Sequence, residues 1–400
     1  MRLLFLTPQP PYPPRQGTAI RNWGLISQLA RRHRLSLITF GGPGRVPEPL
    51  AAACAEVTVV PTPARSTARR LADLALGRAD LARRLWSPAF AQALDERLQR
   101  DAFDGVQIEG LELSAYLPII QRHHVPVVYD AHNAEHVIQA RALATDRGRA
   151  GRRLAAAYSS LQLPRLRALE RAVCRTVAGV ATVSSEDAAA LTALAPGLAP
   201  VVVANGIALT DYEPPAPVAT GPGRVVFTGK MDYRPNVDAV TWFVGEIWPH
   251  VRAVAPDATF WIVGQAPTPN VTALDGRDGV HVTGAVDDTR PYIAGAQVYV
   301  APLRMGGGTR FKLLEAFALR RPVVATRIGA EGFPLHPGRE AMLVDGPHAF
   351  AEAVATILQD PGLGDRLGRA GRALVEAQYD WSVIAPRLES LWADVLARRA

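Results

Sequence analysis

The chain has 400 residues, of which 48% are hydrophobic and 20% are charged, with two cysteines. This balance predicts a globular protein of about two domains and excludes intrinsic disorder, a disulfide framework and a cysteine zinc site. Residues 1–200 hold 25 arginines against 16 acidic residues, whereas residues 201–400 hold 19 basic against 21 acidic residues. A basic first half favours an anionic neighbour, such as a phospholipid surface or a pyrophosphate-bearing acceptor. An arginine-rich composition explains the excess equally well, and no aromatic-interleaved basic stripe indicates nucleic acid.

The chain begins with a short apolar run, Leu3–Leu6, that Thr7 and Pro8 end. The run is too short for a signal-peptide core and predicts a buried first strand. No stretch approaches the roughly 18 consecutive apolar residues that a membrane span needs. Because Cys54 and Cys174 are expected to be reduced core thiols, we expect a cytoplasmic protein, and the basic first half leaves peripheral contact with the inner membrane face open.

Short β-branched runs alternate with helical segments along the whole chain, which predicts parallel sheets covered by helices on both faces. In the first half, strands are predicted at Leu3–Thr7, Leu35–Phe40, Val57–Val60, Val106–Ile108, Val127–Asp130, Val180–Ser184 and Val201–Ala204. In the second half, they are predicted at Val225–Gly229, Thr259–Gly264, Val280–Gly284, Val298–Pro302, Pro322–Thr326 and Met342–Val344. Each set suits one doubly wound, Rossmann-like domain.

The boundary between these domains is predicted from a stretch rich in proline and glycine, Glu213–Gly223, which can continue neither a helix nor a central strand. We therefore expect a first domain over residues 1–205, a linker over 206–223 and a second domain over 224–380. The last residues, 381–400, show apolar positions at helical spacing and predict an amphipathic terminal helix.

Two segments of the first half have more than one interpretation. The loop Pro10–Thr18 combines a rigid proline turn with Gly17 and leads into a helix, which suits either an acceptor or donor-phosphate contact or a simple strand-to-helix connection. The second segment carries six arginines: Arg65, Arg69, Arg70, Arg78, Arg83 and Arg84. They surround the apolar residues Leu71, Leu74, Leu81, Leu85 and Trp86. This pattern suits a helix on an anionic leaflet or an ordinary solvated face.

Polar side chains crowd behind the predicted strand that ends at Asp130. His132, Asn133 and Glu135 follow it directly. The carboxyl ends of parallel strands face the ligand crevice, so we expect Asp130 and these residues to face it too. His132 is placed to bind a sugar hydroxyl or to move a proton near neutral pH, while a purely structural histidine remains the alternative. His136 is interpreted as structural.

The sharpest signal is a glycine triplet between a predicted strand and a predicted helix. Gly306, Gly307 and Gly308 allow close backbone approach to a ligand, and Thr309 can cap the helix. The helix N-terminus then offers free N–H groups and a positive dipole end for a diphosphate. Arg310 and Lys312 would add positive charge, and Glu315 can accept two hydrogen bonds from a ribose diol. A glycine-rich loop whose basic residues face solvent is the alternative.

The positions of the lysines also indicate a phosphate site at the glycine triplet. The chain has 42 arginines but two lysines, Lys230 after a predicted strand end and Lys312 beside the glycine triplet. An ammonium group and a guanidinium group are not equivalent in a crowded phosphate site, although with two lysines chance is a rival explanation. We expect both lysines to meet one pyrophosphate.

Three other nucleotide sites lack their residues. The Gly223–Met231 segment has the wrong glycine spacing for a P-loop, and Met231 replaces the hydroxyl that would hold magnesium. No Gly-x-Gly-x-x-Gly follows the first strand, and no Asp-x-Asp pair occurs to hold a metal–diphosphate complex. We therefore expect a site without metal.

Taken in order, the motifs resemble those of the family 4 retaining glycosyltransferases, which have the GT-B fold of two Rossmann-like domains facing across a cleft. The matching segments extend along nearly the whole chain: the Gly17 loop, Tyr129–Asn133, Val183–Ser184, Asn205–Ile207, Phe227–Lys230, Val282–Gly284, Gly306–Ala316 and Pro322–Thr326. The resemblance implies a hexosyltransferase type of enzyme that uses no cofactor and binds a nucleotide-diphosphate sugar mainly through its second domain. It further implies a hydroxyl acceptor, such as a lipid-linked one, in cell-surface polysaccharide or glycolipid synthesis, and a terminal helix that crosses back onto the first domain.

The resemblance also assigns individual residues. The family's Glu-x7-Glu motif places its second glutamate at Glu315 and its first at Gly307, where the carboxylate is missing, so the backbone amides of residues 306–309 are the expected substitute. Lys230 occupies the usual arginine position, and the usual lysine falls near Arg234, with Lys312 or Arg310 as alternatives. His132 matches the histidine near the transferred sugar, with catalytic roles also assigned to Lys230 and Lys312. The remaining assignments are donor binding by Gly17 and Gly284, and sugar or acceptor contact by Asn133 and Glu135.

Two other classes of function stay open. A sugar-nucleotide epimerase or a phosphorylase is compatible with the same architecture, because fold does not dictate reaction. A binding-only subunit, which lost turnover with the carboxylate at Gly307, is the second.

Overall fold

The computed structural model describes residues 1–14, 17–147, 153–213, 223–305 and 311–399. The chain forms two compact units: Met1–Asn205 with Trp381–Ala400, and Gly206–Asp380. Each unit is a Rossmann-like α/β fold around one parallel sheet, so the predicted fold class is confirmed. Among the described helices, none is both long and apolar enough to cross a membrane.

The first unit has seven strands within its described residues. They are β1 (Arg2–Thr7), β2 (Arg34–Gly41), β3 (Glu56–Pro61), β4 (Gly105–Glu109), β5 (Val127–Ala131), β6 (Gly179–Thr182) and β7 (Val201–Val202). Its helices up to β7 are α1 (Gly17–Leu29), α2 (Glu48–Ala53), α3 (Thr67–Ala75), α4 (Asp80–Arg84), α5 (Pro88–Arg100), α6 (Leu117–Arg122), α7 (Glu135–Arg147), α8 (Arg153–Thr176) and α9 (Ser185–Leu194). Every residue of β4 and β5 is buried, because helices cover both faces of the sheet.

The second unit has six strands within its described residues. They are β8 (Arg224–Thr228), β9 (Thr259–Val263), β10 (Val280–Gly284), β11 (Val298–Ala301), β12 (Val323–Ala325) and β13 (Met342–Leu343). Its helices are α10 (Arg234–Trp242), α11 (Trp248–Val254), α12 (Pro269–Thr272), α13 (Arg290–Ala294), α14 (Phe311–Ala318), α15 (Pro347–Gln359) and α16 (Pro361–Gln378). A π-helical turn, Phe243–Ile247, joins α10 to α11.

The strand order locates the ligand-binding edge of each sheet. The order is β3-β2-β1-β4-β5-β6-β7 in the first unit and β10-β9-β8-β11-β12-β13 in the second. The direction of winding therefore reverses between β1 and β4, and again between β8 and β11. Ligands of doubly wound sheets bind outside the carboxyl ends of the strands at such a reversal.

The terminal helix, α17 (Trp381–Ala397), packs on the first unit through two tryptophans. A Cβ placed on Gly24 would lie 2.0 Å from the Trp381 ring, and one placed on Gly105 would lie 2.1 Å from the Trp392 ring. Both rings are therefore seated directly on glycine backbone, where any side chain would exclude them. The predicted helix and its return to the first unit are confirmed.

Candidate active site

Lys230 lies at the winding reversal of the second unit, between β8 and β11. β8 ends at Thr228 and leads into Gly229 and Lys230, and its neighbour β11 ends at Ala301, before the triplet. Because the two strands are parallel neighbours, both following loops leave the same edge of the sheet. The predicted donor-binding residues Gly306, Gly307, Gly308, Thr309 and Arg310 lie outside the described residues, so those assignments stay predictions.

The turn after β8 depends on two glycines. Gly229 has φ of 155°, and a Cβ there would lie 2.6 Å from Asn236 Nδ2 and 3.2 Å from Lys312 Nζ. A Cβ on Gly264 would lie 1.8 Å from the carbonyl oxygen of Gly229. No other residue type fits at Gly264, because its backbone runs against that of Gly229. At Gly229 the positive φ and the Asn236 side chain disfavour any other residue.

Lys312 lies on the first turn of α14 and reaches this turn from the other side. Its Nζ donates to Asn236 Oδ1 at 2.8 Å and lies 3.9 Å from the centroid of the Phe227 ring. Asn236 in turn donates from Nδ2 to the carbonyl oxygen of Lys230 at 2.9 Å. The two lysines, 82 positions apart in sequence, thus meet at one turn through Asn236.

The Lys230 ammonium group faces solvent. Its Nζ lies 3.1 Å from Asp232 Oδ2, and the Lys230 side chain is 56% exposed. Exposed ion pairs of this kind contribute little to stability, about 0–1 kcal/mol, so an anionic ligand can compete for the ammonium group at small cost.

Glu315 follows Lys312 by three residues and therefore lies on the same face of α14. Tyr212 donates its hydroxyl to Glu315 Oε1 at 3.0 Å, from the short 3-10 turn Leu209–Tyr212. Burial raises the pKa of Glu315, and the Tyr212 hydrogen bond and the positive charge of Lys312 oppose that rise. The carboxylate is therefore held in place by the protein on one oxygen, while its other oxygen has no partner among the described residues.

The other two donor-binding predictions lie at different distances from this turn. Arg234 is the first residue of α10, two positions before Asn236. Gly284 ends β10, which β9 separates from β8, so it lies about 10 Å from the Lys230 turn. Arg234 is close in sequence to the Lys230 turn. Gly284 lies at the same sheet edge but not against the lysines.

The first unit has a second polar cluster at its own winding reversal. Glu109 ends β4, and His132 follows its neighbour β5, with His132 Nε2 lying 2.9 Å from Glu109 Oε2. Gln107 donates from Nε2 to Glu109 Oε1 at 2.6 Å. In the amide orientation that satisfies its neighbours, Asn22 on α1 also donates to Glu109 Oε2, at 2.9 Å. α1 begins at Gly17, so this residue follows β1 at the same sheet edge, and its donor contact stays a prediction.

Contrary to the expectation from the sequence, Asp130 does not face the open edge. It lies within β5, is 0% exposed, and accepts two hydrogen bonds from Arg21, at 2.9 Å from Nε and 2.7 Å from Nη2. Burial alone would raise the pKa of Asp130, but the charge and hydrogen bonds of Arg21 outweigh it and lower the pKa. Arg21 also donates to the Val203 carbonyl oxygen at 2.8 Å, so this buried pair joins α1 to the end of the first unit.

Asn133 and Glu135 connect the loop after β5 to α7. Asn133 Nδ2 lies 3.4 Å from Glu135 Oε1, and Glu135 begins α7, where its backbone N–H donates to Glu170 Oε1 at 2.9 Å. Burial and the negative charge of Glu112 raise the pKa of Glu135 to about 7. Its carboxyl group therefore changes charge near neutral pH.

Comparison with known proteins places this arrangement in a family. The model of "Glycosyltransferase Family 4" matches residues 15–211, and that of "Glycosyl transferases group 1" matches residues 222–360. Between them the two matches cover most of both units. The chain is a member of glycosyltransferase family 4.

Other proteins are similar to this family 4 chain over part or all of its length. Phosphatidyl-myo-inositol mannosyltransferase of Propionibacterium freudenreichii is 32% identical over 243 residues, which are 56% of this chain and 58% of that protein. The chain spans little more than half the length of the curated relatives it matches.

Two solved structures share the fold. Sucrose-phosphate synthase from Thermosynechococcus elongatus superposes with a TM-score of 0.73 at 17% identity, covering 100% of both chains. Anabaena Alr3699/HepE in complex with UDP superposes with a TM-score of 0.66 at 15% identity, covering 98% of this chain and 100% of that one. At these identities the likeness supports the GT-B fold alone.

One group in the described part of this family 4 chain combines three potential metal ligands: Glu109, Asp130 and His132 bring one ligand atom each within 4.8 Å of one another. A cation here would have to displace the Arg21 guanidinium from both oxygens of Asp130 and separate His132 from Glu109. Such buried, mutually compensated charges are costly to break, so the donor set favours the internal pairing over a metal ion.

Several residues of these clusters were not predicted from the sequence, among them Asn236, Gln107 and Asn22. Glu109 ends a predicted strand, and the strand-end rule that selected His132 would also have selected it. Arg21 and Tyr212 lie in unremarkable local sequence, and their partners are 109 and 103 positions away. No local pattern signals either of them.

Proposed function

We propose that this family 4 member is a metal-independent, retaining glycosyltransferase that moves a sugar from a nucleotide-diphosphate sugar to a hydroxyl acceptor. The observation that carries the proposal is the meeting of Lys312 and the Lys230 turn at the winding reversal of the second unit. An ammonium group held at the glycine turn that carries a second lysine, beside the start of α14, suits a diphosphate better than a neutral ligand.

On the donor side, the leaving diphosphate would be stabilised by Lys312 and by Lys230, which exchanges Asp232 for phosphate. The backbone amides of residues 306–309 and the Arg310 side chain are proposed to complete this set. Removing one donor to a developing anionic charge typically costs a factor of about 10²–10³ in rate. Glu315 is proposed to accept hydrogen bonds from the ribose diol with the oxygen that Tyr212 leaves open.

On the sugar side, we propose attack by the acceptor hydroxyl on the same face of the sugar that the diphosphate leaves. The bond from the anomeric carbon to the acceptor oxygen forms, the bond to the phosphate oxygen breaks, and the departing phosphate takes the acceptor proton. His132 steadies the sugar, and Asn133 and Glu135 line the sugar and acceptor side. This route needs no carboxylate nucleophile of the kind that retaining glycosidases use.

The acceptor is proposed to be an anionic lipid, in glycolipid or cell-surface polysaccharide synthesis. The similar mannosyltransferase is named for phosphatidyl-myo-inositol. In the first unit, Arg69 and Arg70 on α3 are exposed, and Leu76 beside them is 63% exposed. Of the other arginines in that segment, three turn onto one carboxylate: Arg65, Arg78 and Arg83 bridge to Asp73. The membrane-facing charge is therefore proposed to come from α3, at the inner face of the cell membrane.

The test is incubation of the purified protein with radiolabelled GDP-mannose or UDP-glucose and vesicles containing phosphatidylinositol, with and without EDTA. Transfer of radiolabel to the lipid, in an amount that EDTA does not lower, supports the proposal. NMR of the product then shows whether the anomeric configuration is retained. An isomerised donor would indicate an epimerase, and tight binding without turnover would indicate a non-catalytic subunit. Sedimentation with phosphatidylinositol vesicles but not phosphatidylcholine vesicles tests the membrane contact.

Lys312→Met provides the matched variant, because methionine keeps a straight side chain over Phe227 and removes the charge. We expect kcat/KM for the donor to fall by about 10²–10³. Arg277→Met is the control, because it removes an exposed positive charge near the opposite, amino-terminal edge of the same sheet. Equal rates for the two variants would contradict the phosphate assignment.

A further inference from the structure

A buried chain of hydrogen bonds reaches His132 from the terminal helix. Trp392 Nε1 on α17 donates to Gln107 Oε1 at 2.9 Å, Gln107 Nε2 donates to Glu109 Oε1 at 2.6 Å, and Glu109 Oε2 lies 2.9 Å from His132 Nε2. Trp392, Gln107 and Glu109 are each 0% exposed. A carboxylate fixed on both oxygens in a dry interior cannot rotate to follow its partner, so it determines the orientation of the ring.

This contact distinguishes the two ring nitrogens of His132. With Glu109 on Nε2, the proton of a neutral ring belongs on Nε2, and Nδ1 is left to meet other groups. A Cβ placed on Gly110 would lie 3.9 Å from Nδ1, and Gly110 has φ of 92°, so a side chain is disfavoured there. Within the described ranges, Nδ1 has no hydrogen-bond partner. The ring therefore presents Nδ1 beside a glycine, at the open edge of the sheet.

The charges around the ring favour its protonated form. The groups that face it are Glu109 on β4, Asp130 on β5, Arg21 on α1 and Glu135 on α7. Burial alone would lower the pKa of His132, but the Glu109 hydrogen bond and the charges of Asp130 and Glu109 raise it, against the opposing charge of Arg21. Burial and the charge of Asp130 raise the pKa of Glu109 to about 7.

We propose that Glu109 is a positioning residue, whose carboxylate holds His132 by Nε2 so that Nδ1–H is the group offered to a hydroxyl of the transferred sugar. This inference rests on the proposed function. Glu109 touches neither donor nor acceptor in this scheme and acts only through the histidine. The requirement for Gly110 follows from it, because a side chain there would lie against the nitrogen that binds the sugar.

The first measurement needs no variant. Nitrogen NMR of the intact protein, with His132 assigned by the spectrum of His132→Gln, should show the neutral ring protonated on Nε2. In Glu109→Gln the pKa of His132 should fall, because the negative charge beside Nε2 is lost. Transfer should then fall about tenfold to a hundredfold at neutral pH, the size expected of one charged hydrogen bond, and its alkaline limb should move to lower pH.

Glu170→Gln is the matched control. It removes one charge from another buried histidine–glutamate pair of this unit, where His136 Nδ1 lies 2.5 Å from Glu170 Oε2. We expect the titration of His132 to stay in place in that variant.

Three results would overturn the inference: a neutral His132 ring that carries its proton on Nδ1, a His132 titration that Glu109→Gln leaves unchanged, or a changed titration with an unchanged pH profile of transfer. If the parental protein transfers no sugar, the proposed function fails, and the NMR titration still decides whether Glu109 positions the ring.

Discussion

Gly105→Ala should detach the terminal helix locally and disturb the site through it. Gly105 begins β4, and an added Cβ would lie 2.1 Å from Cζ3 and 2.4 Å from Cη2 of the fully buried Trp392 ring. The strand cannot yield, because β4 is hydrogen-bonded to β1 on one side and to β5 on the other. The indole must therefore tilt away and release Gln107, the residue that holds Glu109.

Gly105→Ala lowers the free energy of unfolding in two ways. Overpacking a close-packed interior costs about 1–3 kcal/mol. Loss of the Trp392–Gln107 hydrogen bond leaves a buried oxygen without its donor, for about 1–3 kcal/mol more. A loss of about 2–6 kcal/mol is a large share of the roughly 5–15 kcal/mol that stabilises a domain. In a unit of this size it lowers the unfolding midpoint by roughly 5–20 °C.

The assay is thermal unfolding followed by near-ultraviolet circular dichroism, which reports the tryptophan environment. The matched control is Gly42→Ala in the same unit, where an added Cβ meets nothing within 4 Å. A midpoint for Gly105→Ala that stays with the Gly42→Ala value would refute the argument that Trp392 is seated on the glycine backbone.

Two further changes test contacts that join distant parts of one unit. Tyr212→Phe should raise the KM for the donor about 2–10-fold while folding normally, because Glu315 loses the hydroxyl that orients it; a lower KM would show instead that Tyr212 competes with the ribose. Asp130→Asn should lower the free energy of unfolding, measured with urea at pH 7, by about 3–5 kcal/mol, because Arg21 is left buried without its counter-charge. The pKa of Asp130 is lowered in the folded state, so the Arg21–Asp130 pair should stabilise the parental protein fully above the ordinary aspartate pKa of about 3.9. This stabilisation should be lost as the pH falls further. The variant should show no such acid-dependent loss.

The strands could be predicted from sequence because their signal is local. Each described strand overlaps a predicted one, from β1 at Arg2–Thr7 to β13 at Met342–Leu343. A strand covered on both faces is apolar along most of its length, so its own composition reveals it. The terminal helix was equally readable, because its apolar residues repeat at helical spacing.

The sites were predicted unevenly. The strand-end rule located His132 and Lys230, since parallel strands bring their carboxyl ends to one edge whatever their order. The same rule led to a wrong expectation for Asp130, which is sealed by Arg21 instead of facing a ligand. The roles of the glycine triplet, of Arg310 and of the other assigned residues stay predictions.

By itself, the sequence determined which segments are strands, that the last residues form a helix, and which strand ends carry charge. The tertiary structure alone decided which of those charges neutralise one another: Arg21 with Asp130, Glu109 with His132, and Tyr212 with Glu315. The physical reason is range. Residues that are neighbours in sequence determine which face of a helix or strand is buried. The partner of a buried charge depends instead on which strands lie side by side and which helix covers them.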